Sequence, residues 1–398
     1  MSDKKLTRDL KLMIVFSSLR KISDLFLGTF LISFIMQLSA NEILNISLYK
    51  LFEYVATAAG YFLFAHWCKR YSKVAVFALN VIPKAFVFGA IIYLGDNVVN
   101  YVVELGILIG LGAAMFHLPM NTMTGEKVAA PVMGRYLGIK NAVDYMVKIV
   151  APVMLGAFIT VGSYVEIAYV LLALSIVEFG LTFFLSPSRH RSRKPIDFSG
   201  FFACMMRFAI LRKLFLLEIL RGFSIGLLGT IIPMYTVYMF HTDLNLGIFT
   251  TIFAICSILT SLLLGKYGRQ KTQPKMLWIC MVVILFGLSL FVFHTTPATF
   301  LVYNFVYATA ICVLNLIADT NMFNLSKSRC VTVNHKIEYF VFRDFALFIG
   351  RWIGFVCLMY IGVFGNASWL RYLLVVITAS ILASGAVSVK ISQHIRGR

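Results

Sequence analysis

Charged side chains lie within long apolar stretches of this chain, where each ion requires a partner or a ligand. Arg20 and Asp24 stand four residues apart in the first stretch, so they share one face of a helix. Glu218 and Arg221 stand three residues apart in a later stretch. A guanidinium binds carboxylates and phosphates, and a carboxylate beside a base can exchange its proton when a substrate displaces that base. These spacings therefore indicate anion binding beside a carboxylate that can carry a proton.

The two arginines belong to two copies of one short sequence. Residues 19–29 read LRKISDLFLGT and residues 220–230 read LRGFSIGLLGT, with six of eleven positions identical. Such a repeat, at an offset of 201, indicates an internal duplication. We therefore predict two related halves, each placing an arginine of its first helix near a shared pathway.

The composition indicates a membrane protein. Of 398 residues, 60% are hydrophobic and 13% are charged, and the mean hydropathy is +0.86. A soluble domain averages about half apolar and about a quarter charged residues. The net charge of +19 comes from bases in short loops, a pattern typical of membrane proteins, so we expect no nucleic-acid partner. The seven cysteines show no metal-ligand spacing and predict neither disulfides nor a metal site.

The apolar pattern predicts twelve spanning segments, because a crossing helix needs about 20 apolar residues. They lie at about 11–38, 45–66, 74–94, 98–121, 136–161, 165–186, 208–238, 245–265, 275–294, 298–323, 338–362 and 370–390. The longest loop, 186–200, is polar and basic and separates the two halves. We therefore predict an N-terminal bundle at 1–186, a cytoplasmic basic linker at 187–206 and a C-terminal bundle at 207–398.

Loop charges predict the orientation of these segments. Bases concentrate in the loops on the side of the N-terminus, whereas the opposite loops carry mainly acids, with Arg371 as the exception. Because an even number of spans places both ends on one side, both termini are predicted to be cytoplasmic. We expect a multi-pass protein of a cell membrane, plasma or inner.

Six helices, a basic loop and six related helices resemble the major facilitator superfamily of secondary transporters. Its loop pattern G-x-x-x-D-R-x-G-R-R is similar to residues 265–271, GKYGRQK, which keep the K-x-G-R core and carry Gly265 in place of the aspartate. Residues 134–138, GRYLG, resemble the G-R-x-x-G sequence at the start of the fifth helix. The resemblance implies an all-α fold of twelve transmembrane helices in two pseudo-symmetric six-helix bundles, which transports by alternating access.

In this superfamily, segments 1, 4, 7 and 10 line the central cavity, and segments 2, 5, 8 and 11 lie beside them. This implies three sets of candidate residues. The substrate-binding candidates are Arg20, Arg221, His117, Tyr235 and Tyr303, and the proton-coupling or ion-pair candidates are Asp24, Asp319 and Glu218. The candidates for a cytoplasmic gate are Lys140, Asp144, Lys148, Arg343, Asp344, Arg351, Lys266 and Arg269.

Seven bases face five acids on the predicted cavity helices, and this surplus favours an anionic substrate. No nucleotide-binding loop of the G-x-x-x-x-G-K-[ST] type is present, so ATP is not the expected energy source. We predict a secondary active transporter of a small or amphipathic anion, with proton coupling as one option. We expect a monomer in the bilayer with no cofactor. The alternatives are a flippase for anionic lipid or lipid-linked sugar and, in another class, a non-transporting membrane sensor or an enzyme.

Overall fold

The computed structural model describes residues 7–39, 41–70, 72–128, 130–186, 196–240, 243–267, 272–326, 331, 336–365 and 369–396. Every regular element among these residues is a helix. By contacts, the chain divides into an N-terminal unit of Met1–Ile196 with Thr242–Ile248, and a C-terminal unit of Asp197–His241 with Phe249–Arg398.

The N-terminal part contains six helical elements, α1 to α6. α1 comprises Arg8–Leu25, a π-helical turn Phe26–Phe30, and Leu31–Leu38. α3 comprises Lys73–Leu79 and Val81–Leu94, and a 3-10 turn, Gly95–Tyr101, follows it. The others are α2 (Glu42–Arg70), α4 (Val102–Lys127), α5 (Ala130–Val161) and α6 (Tyr164–Thr182).

The remaining part of the chain begins with a short helix, and six long helices follow it. These are α7 (Phe198–Arg207), α8 (Ala209–Phe240), α9 (Asp243–Tyr267), α10 (Gln273–Phe293), α11 (Pro297–Ser326), α12 (Lys336–Phe364) and α13 (Trp369–Arg396). Proline residues stand inside α4, α5 and α8, at Pro119, Pro152 and Pro233. Membrane helices tolerate such prolines because neighbouring helices, Ser and Thr side chains and local 3-10 or π turns pair the backbone groups that proline leaves free.

Within the described residues, eight helical stretches are long and apolar enough to cross a membrane. They are Arg8–Leu38, Lys73–Thr124, Tyr164–Thr182, Ala209–Phe240, Gln273–Phe293, Pro297–Asp319, Ile337–Phe364 and Trp369–His394. The second has 52 residues, or about 78 Å of helix at 1.5 Å per residue, more than twice the hydrocarbon thickness. The chain therefore has multiple membrane spans, while the count of twelve and the cytoplasmic side of the termini stay predictions.

Residues 187–206 are predicted to form the linker between the bundles, and residues 198–206 of that range belong to helix α7. Residues 187–195 lie outside the described residues. Asp197 caps α7, because its Oδ1 accepts a hydrogen bond from the Gly200 N–H at 2.8 Å. Phe201 and Met205 stand four residues apart on one face of α7 and are buried in the core of the C-terminal unit. This apolar spacing is the reason that the segment folds as a helix.

Glycines allow helix backbones to approach closely in each unit. A Cβ added to Gly110 of α4 would lie 2.2 Å from the Glu53 carbonyl oxygen of α2. A Cβ added to Gly222 of α8 would lie 2.0 Å from the Leu347 carbonyl oxygen of α12. Contacts this close exclude any larger side chain and are typical of small residues at membrane helix interfaces. In this way α2 is fixed to α4, and α8 is fixed to α12.

Candidate functional site

Arg20 and Asp24 form an ion pair on α1. The Arg20 Nε atom lies 2.7 Å from Asp24 Oδ1, and the arginine side chain is only 4% exposed while that of the aspartate is 31% exposed. The Arg20 guanidinium also lies over the Phe116 ring of α4, 5.4 Å from its centroid. The pair predicted from the four-residue spacing is therefore present, with its carboxylate the more accessible member.

Asp24 lies in a predominantly basic environment. Besides its partner Arg20, the ionisable side chains that interact electrostatically with Asp24 are Lys21, His117 and Lys84. His117 follows Phe116 on α4, so the structure brings this predicted residue to the Arg20–Asp24 pair. Three permanent bases, Arg20, Lys21 and Lys84, stand against the two carboxylates Asp24 and Glu178, and this surplus of one positive charge attracts anions.

A π-helical turn begins two residues after Asp24. It spans Phe26–Phe30, and its Leu27 carbonyl oxygen accepts a hydrogen bond from the Tyr49 hydroxyl of α2 at 2.9 Å. Tyr49 is fully buried. A π turn leaves backbone groups without their usual helical partners, and such turns are frequent at functional sites. Tyr49 thus stabilises the irregular turn beside the ion pair, a contact that the sequence pattern does not indicate.

A second ion pair of the N-terminal unit was missed by the sequence analysis. Lys84 of α3 donates a hydrogen bond through Nζ to Glu178 Oε2 of α6, and both side chains are almost completely buried. The available signal was that each is an ionisable residue in an apolar segment, and such residues require partners. On α2, Lys50 and Glu53 form another pair with a 2.7 Å Nζ–Oε2 distance.

One of the predicted gate residues of α5, Asp144, interacts with α1. The Asp144 carboxylate binds Lys140 Nζ at 2.7 Å and accepts a hydrogen bond from the Ser17 hydroxyl at 3.1 Å. Lys148 lies one turn further along α5 and is half-buried. The four-residue spacing of Lys140 and Asp144 therefore gives the predicted pair within α5. Asp144 also joins α5 to α1 through Ser17.

Arg221 of α8 is held by polar groups on two helices of the C-terminal unit. Its Nη1 donates to Glu218 Oε1 of the same helix at 3.0 Å. Its Nη2 donates to Asp319 Oδ1 at 3.0 Å and to Asn315 Oδ1 at 3.2 Å, both on α11. The guanidinium thus has two carboxylate partners and one amide partner, so its fork is largely occupied.

Arg343 of α12 extends this network. It lies between Glu218 and Asp319, with Nε–Oε1 and Nη2–Oδ1 distances of 3.3 and 3.7 Å, and it donates through Nη1 to Asp344 at 2.6 Å. Glu218 is fully buried and serves both arginines, whereas the Asp319 side chain is 46% exposed. Residues that the sequence analysis divided between coupling and gating therefore form one network across three helices.

Of the remaining C-terminal gate candidates, the structure describes the side chain of Arg351. Arg351 lies two turns beyond Arg343 on α12, with its stem against Gly226 and its guanidinium 5.6 Å from the Phe348 ring centroid. Lys266 lies in the last turn of α9, but its side chain is outside the described part of the chain. Arg269 also lies outside the described residues.

Tyr235 and Tyr303 belong to an aromatic cluster inside the C-terminal unit. The Tyr235 ring lies 5.7 Å from Phe291 and 5.6 Å from Phe300, and the Tyr303 ring lies 6.0 Å from Phe291. Tyr303 is fully buried and Tyr235 is 8% exposed. In this structure, both predicted substrate-binding tyrosines pack as core residues, because large aromatic rings bury much apolar surface and pair with one another across the helices.

The superfamily is decided by a comparison with known families. The family model of the Major Facilitator Superfamily matches residues 24–327. The chain belongs to this superfamily. It is therefore a multi-pass membrane transporter and not an enzyme, and its substrate is a small molecule.

A bacterial relative and several solved structures resemble this chain at less than 20% sequence identity. An uncharacterised protein of Bacillus subtilis strain 168, YqgE, is 19% identical over 326 residues, which cover 81% of this chain and 75% of that protein. Among solved structures, a bacterial homologue of the iron transporter ferroportin in an inward-facing state has a TM-score of 0.70 and 14% identity, covering 98% of this chain and 100% of that chain. At this identity the similarity shows the fold alone.

Two further structures show the same fold. A bacterial ferroportin homologue in an outward-facing state with soaked iron has a TM-score of 0.69 and 14% identity, covering 97% of this chain and 100% of the other. A bacterial metal transporter has a TM-score of 0.60 and 14% identity, covering 98% and 100%. Among the described residues of this chain, no group of three or more His, Cys, Asp or Glu side chains is arranged to hold a metal ion.

Proposed function

We propose that this superfamily member is a secondary active transporter that carries a small or amphipathic anion by alternating access, with protons as the coupling ion. The observation that carries the proposal is the environment of Asp24. This half-buried carboxylate pairs with Arg20 and interacts electrostatically with Lys21, His117 and Lys84, of which Lys84 has Glu178 as its own partner. An anion that enters this region is attracted by these basic groups, and the exposed carboxylate of Asp24 is the group that it must displace.

Arg20 is the proposed anion-binding group. Its guanidinium is planar and forms parallel hydrogen bonds with carboxylate or phosphate oxygens. Its present partner, Asp24, is on the same helix and remains 31% exposed. An anionic substrate can therefore replace this carboxylate on the guanidinium without separating two helices.

Displacement of Asp24 supports proton coupling. A carboxylate that loses its basic partner in an apolar environment is costly as an anion, so it becomes the acceptor of a proton. Binding of the substrate anion and protonation of Asp24 then occur together and keep the net charge of the site constant. In the C-terminal unit, Asp319 is the second candidate, because its side chain is exposed while it contacts both arginines.

A divalent metal cation is the second candidate substrate. The observation that favours it is the fold shared with the bacterial ferroportin homologues and the metal transporter, whose names refer to iron and metal. A metal would use Asp24 and His117 and would be repelled by Arg20, Lys21 and Lys84. The basic environment is the reason that we place the anion first.

Thermal unfolding of the purified protein separates the two candidates. The ligands are phosphorylated sugars, carboxylates, anionic phospholipids and Fe²⁺ or Mn²⁺ salts, each of which raises the melting temperature if it binds the folded state. We expect stabilisation by an anion that is lost in Arg20→Gln and retained in Lys11→Gln, an exposed site on the same helix. Stabilisation by metal alone, lost in Asp24→Asn and retained in Arg20→Gln, would show that the substrate is a metal cation and not an anion. Stabilisation by phospholipid alone would favour a flippase.

A further inference from the structure

Helix α7 is too short to cross a membrane. Its ten residues, Phe198–Arg207, span about 15 Å, half of the hydrocarbon thickness. Phe208 has an extended conformation, and the long helix α8 begins immediately after it. The chain therefore changes direction between a short helix and a membrane-spanning one.

One face of α7 is fixed to the C-terminal unit. The Phe201 ring lies 5.4 Å from Phe342 and 6.2 Å from Tyr339, both on α12, and Met205 is buried in the same cluster. The helix is thus a rigid part of this unit. Phe202 touches the edge of this cluster, with its ring centroid 6.2 Å from that of Phe342, and half of its side chain remains exposed.

The outward face of α7 is apolar, and three exposed bases follow it closely in the sequence. Phe202 and Met206, four residues apart, are 50% and 49% exposed. Arg207 at the end of α7, and Arg212 and Lys213 in the first turn of α8, are exposed as well. We call these five residues the interfacial patch.

The charge of the interfacial patch is not compensated within the part of the chain that the structure describes. No acidic side chain there forms an ion pair with Arg207, Arg212 or Lys213. The nearest acids in sequence are used elsewhere, because Asp197 caps the opposite end of α7 and Glu218 binds the two network arginines. The patch therefore combines exposed apolar side chains with unpaired positive charge.

We propose that the interfacial patch binds the headgroups of anionic phospholipids, with Phe202 and Met206 inserted at the boundary between headgroups and acyl chains. A helix that lies in this boundary places its apolar side chains toward the acyl region and its bases against lipid phosphates. Anionic lipids also attract bases near the membrane surface. A soluble anion would satisfy the three bases but would leave the two apolar side chains in water. This surface is independent of the proposed transport site.

Tryptophan quenching by brominated lipids tests the proposal on the full chain in vesicles. The reporter is Phe202→Trp, corrected for the four native tryptophans, in phosphatidylcholine vesicles that contain either brominated phosphatidylglycerol or brominated phosphatidylcholine. We expect brominated phosphatidylglycerol to quench this reporter at about one third of the concentration that phosphatidylcholine requires. The matched control is Phe286→Trp, which is 61% exposed near the middle of α10, and both lipids should quench it equally.

Removal of the bases completes the test. The second variant combines Phe202→Trp with Arg207→Gln, Arg212→Gln and Lys213→Gln. In this variant both brominated lipids should quench the reporter at about the same concentration. High salt should weaken the preference in the protein with its bases intact, since exposed charges are screened. A preference that survives the three substitutions and salt, equal quenching by both lipids, or no quenching at all would overturn the proposal. A protein partner on this surface would give the last of these results.

Discussion

The two arginines of the duplicated sequence are in different environments. Arg20 has one carboxylate partner, four residues away on its own helix, and that partner is accessible. Arg221 is bound by groups of α8 and α11 and shares its carboxylates with Arg343 of α12. A simple pair can exchange its partner for a substrate, whereas a network across three helices joins those helices. We infer that the N-terminal copy serves binding and the C-terminal copy stabilises its unit.

The same offset of 201 explains how this difference arises. It aligns Asp24 with Ile225, so Arg221 has no exposed carboxylate on its own helix and takes Asp319 of α11 instead. It also aligns Glu218 with Ser17, and both residues contact the helix that follows in the corresponding position. Ser17 donates to Asp144 of α5, and Glu218 binds Arg343 of α12. The same position therefore makes an interhelical contact in both units. It is the neutral hydroxyl of Ser17 in the N-terminal unit and the buried carboxylate of Glu218 in the C-terminal unit.

The largest effect is expected for Glu218→Gln. This change leaves Arg221 and Arg343 without the buried carboxylate that they share, and loss of one member of a buried ionic network costs about 3–5 kcal/mol. Thermal unfolding in detergent measures it. Arg212→Gln, exposed on the same helix, is the control and should cost less than about 0.5 kcal/mol. Equal melting temperatures for Glu218→Gln and the unmodified protein would show that the network does not stabilise the unit.

The buried pair of the N-terminal unit provides the second test. Lys84→Met leaves Glu178 buried without its base and should destabilise the protein by about 3 kcal/mol. The double variant Lys84→Met with Glu178→Leu removes both ions and should recover most of that loss. Calorimetry of the single and double variants gives the coupling between the two residues. Additive losses would mean that Lys84 and Glu178 act independently.

Arg20→Gln should affect transport more than stability. Its partner Asp24 is partly exposed and takes up a proton when its base is removed, so the unfolding free energy should fall by about 1 kcal/mol or less. Loss of a charge-assisted hydrogen bond to the substrate should weaken its binding by about tenfold to a hundredfold. Uptake into proteoliposomes measures this effect. Normal uptake by the variant would show that Arg20 does not bind the substrate.

The smallest effect is expected for Tyr49→Phe. It removes one hydrogen bond to the π-helical turn and should cost about 1 kcal/mol, with a few-fold loss of substrate affinity because that turn adjoins Asp24. Tyr339→Phe is the matched control, since its hydroxyl donates a 2.9 Å hydrogen bond to the Met322 carbonyl oxygen in the other unit. It should lose the same stability and keep the affinity. Equal losses of affinity would show that the π turn has no special role.

The sequence predicts local pairs well, because helical spacing determines them. Arg20 with Asp24, Lys140 with Asp144, and Glu218 with Arg221 all follow from separations of three or four residues. The repeat and the apolar segments also predict the superfamily, which the family comparison confirms.

Contacts between helices could not be predicted in the same way. Lys84 with Glu178, and Arg343 with Glu218, join residues more than 90 positions apart, so their pairing depends on helix rotation. The burial of Tyr303 and the π turn held by Tyr49 depend on packing as well. The charges identified which residues need partners, and only the structure assigns those partners.

The most direct test of the account compares Arg20→Gln with Arg221→Gln in one thermal unfolding experiment, with and without the stabilising anion. We predict that Arg20→Gln melts near the temperature of the unmodified protein and loses the shift caused by the anion. Arg221→Gln should melt at a lower temperature and keep that shift, because its loss disrupts the network of the C-terminal unit. The opposite result, with the shift lost only in Arg221→Gln and the stability lost only in Arg20→Gln, would contradict the division of roles between the two arginines.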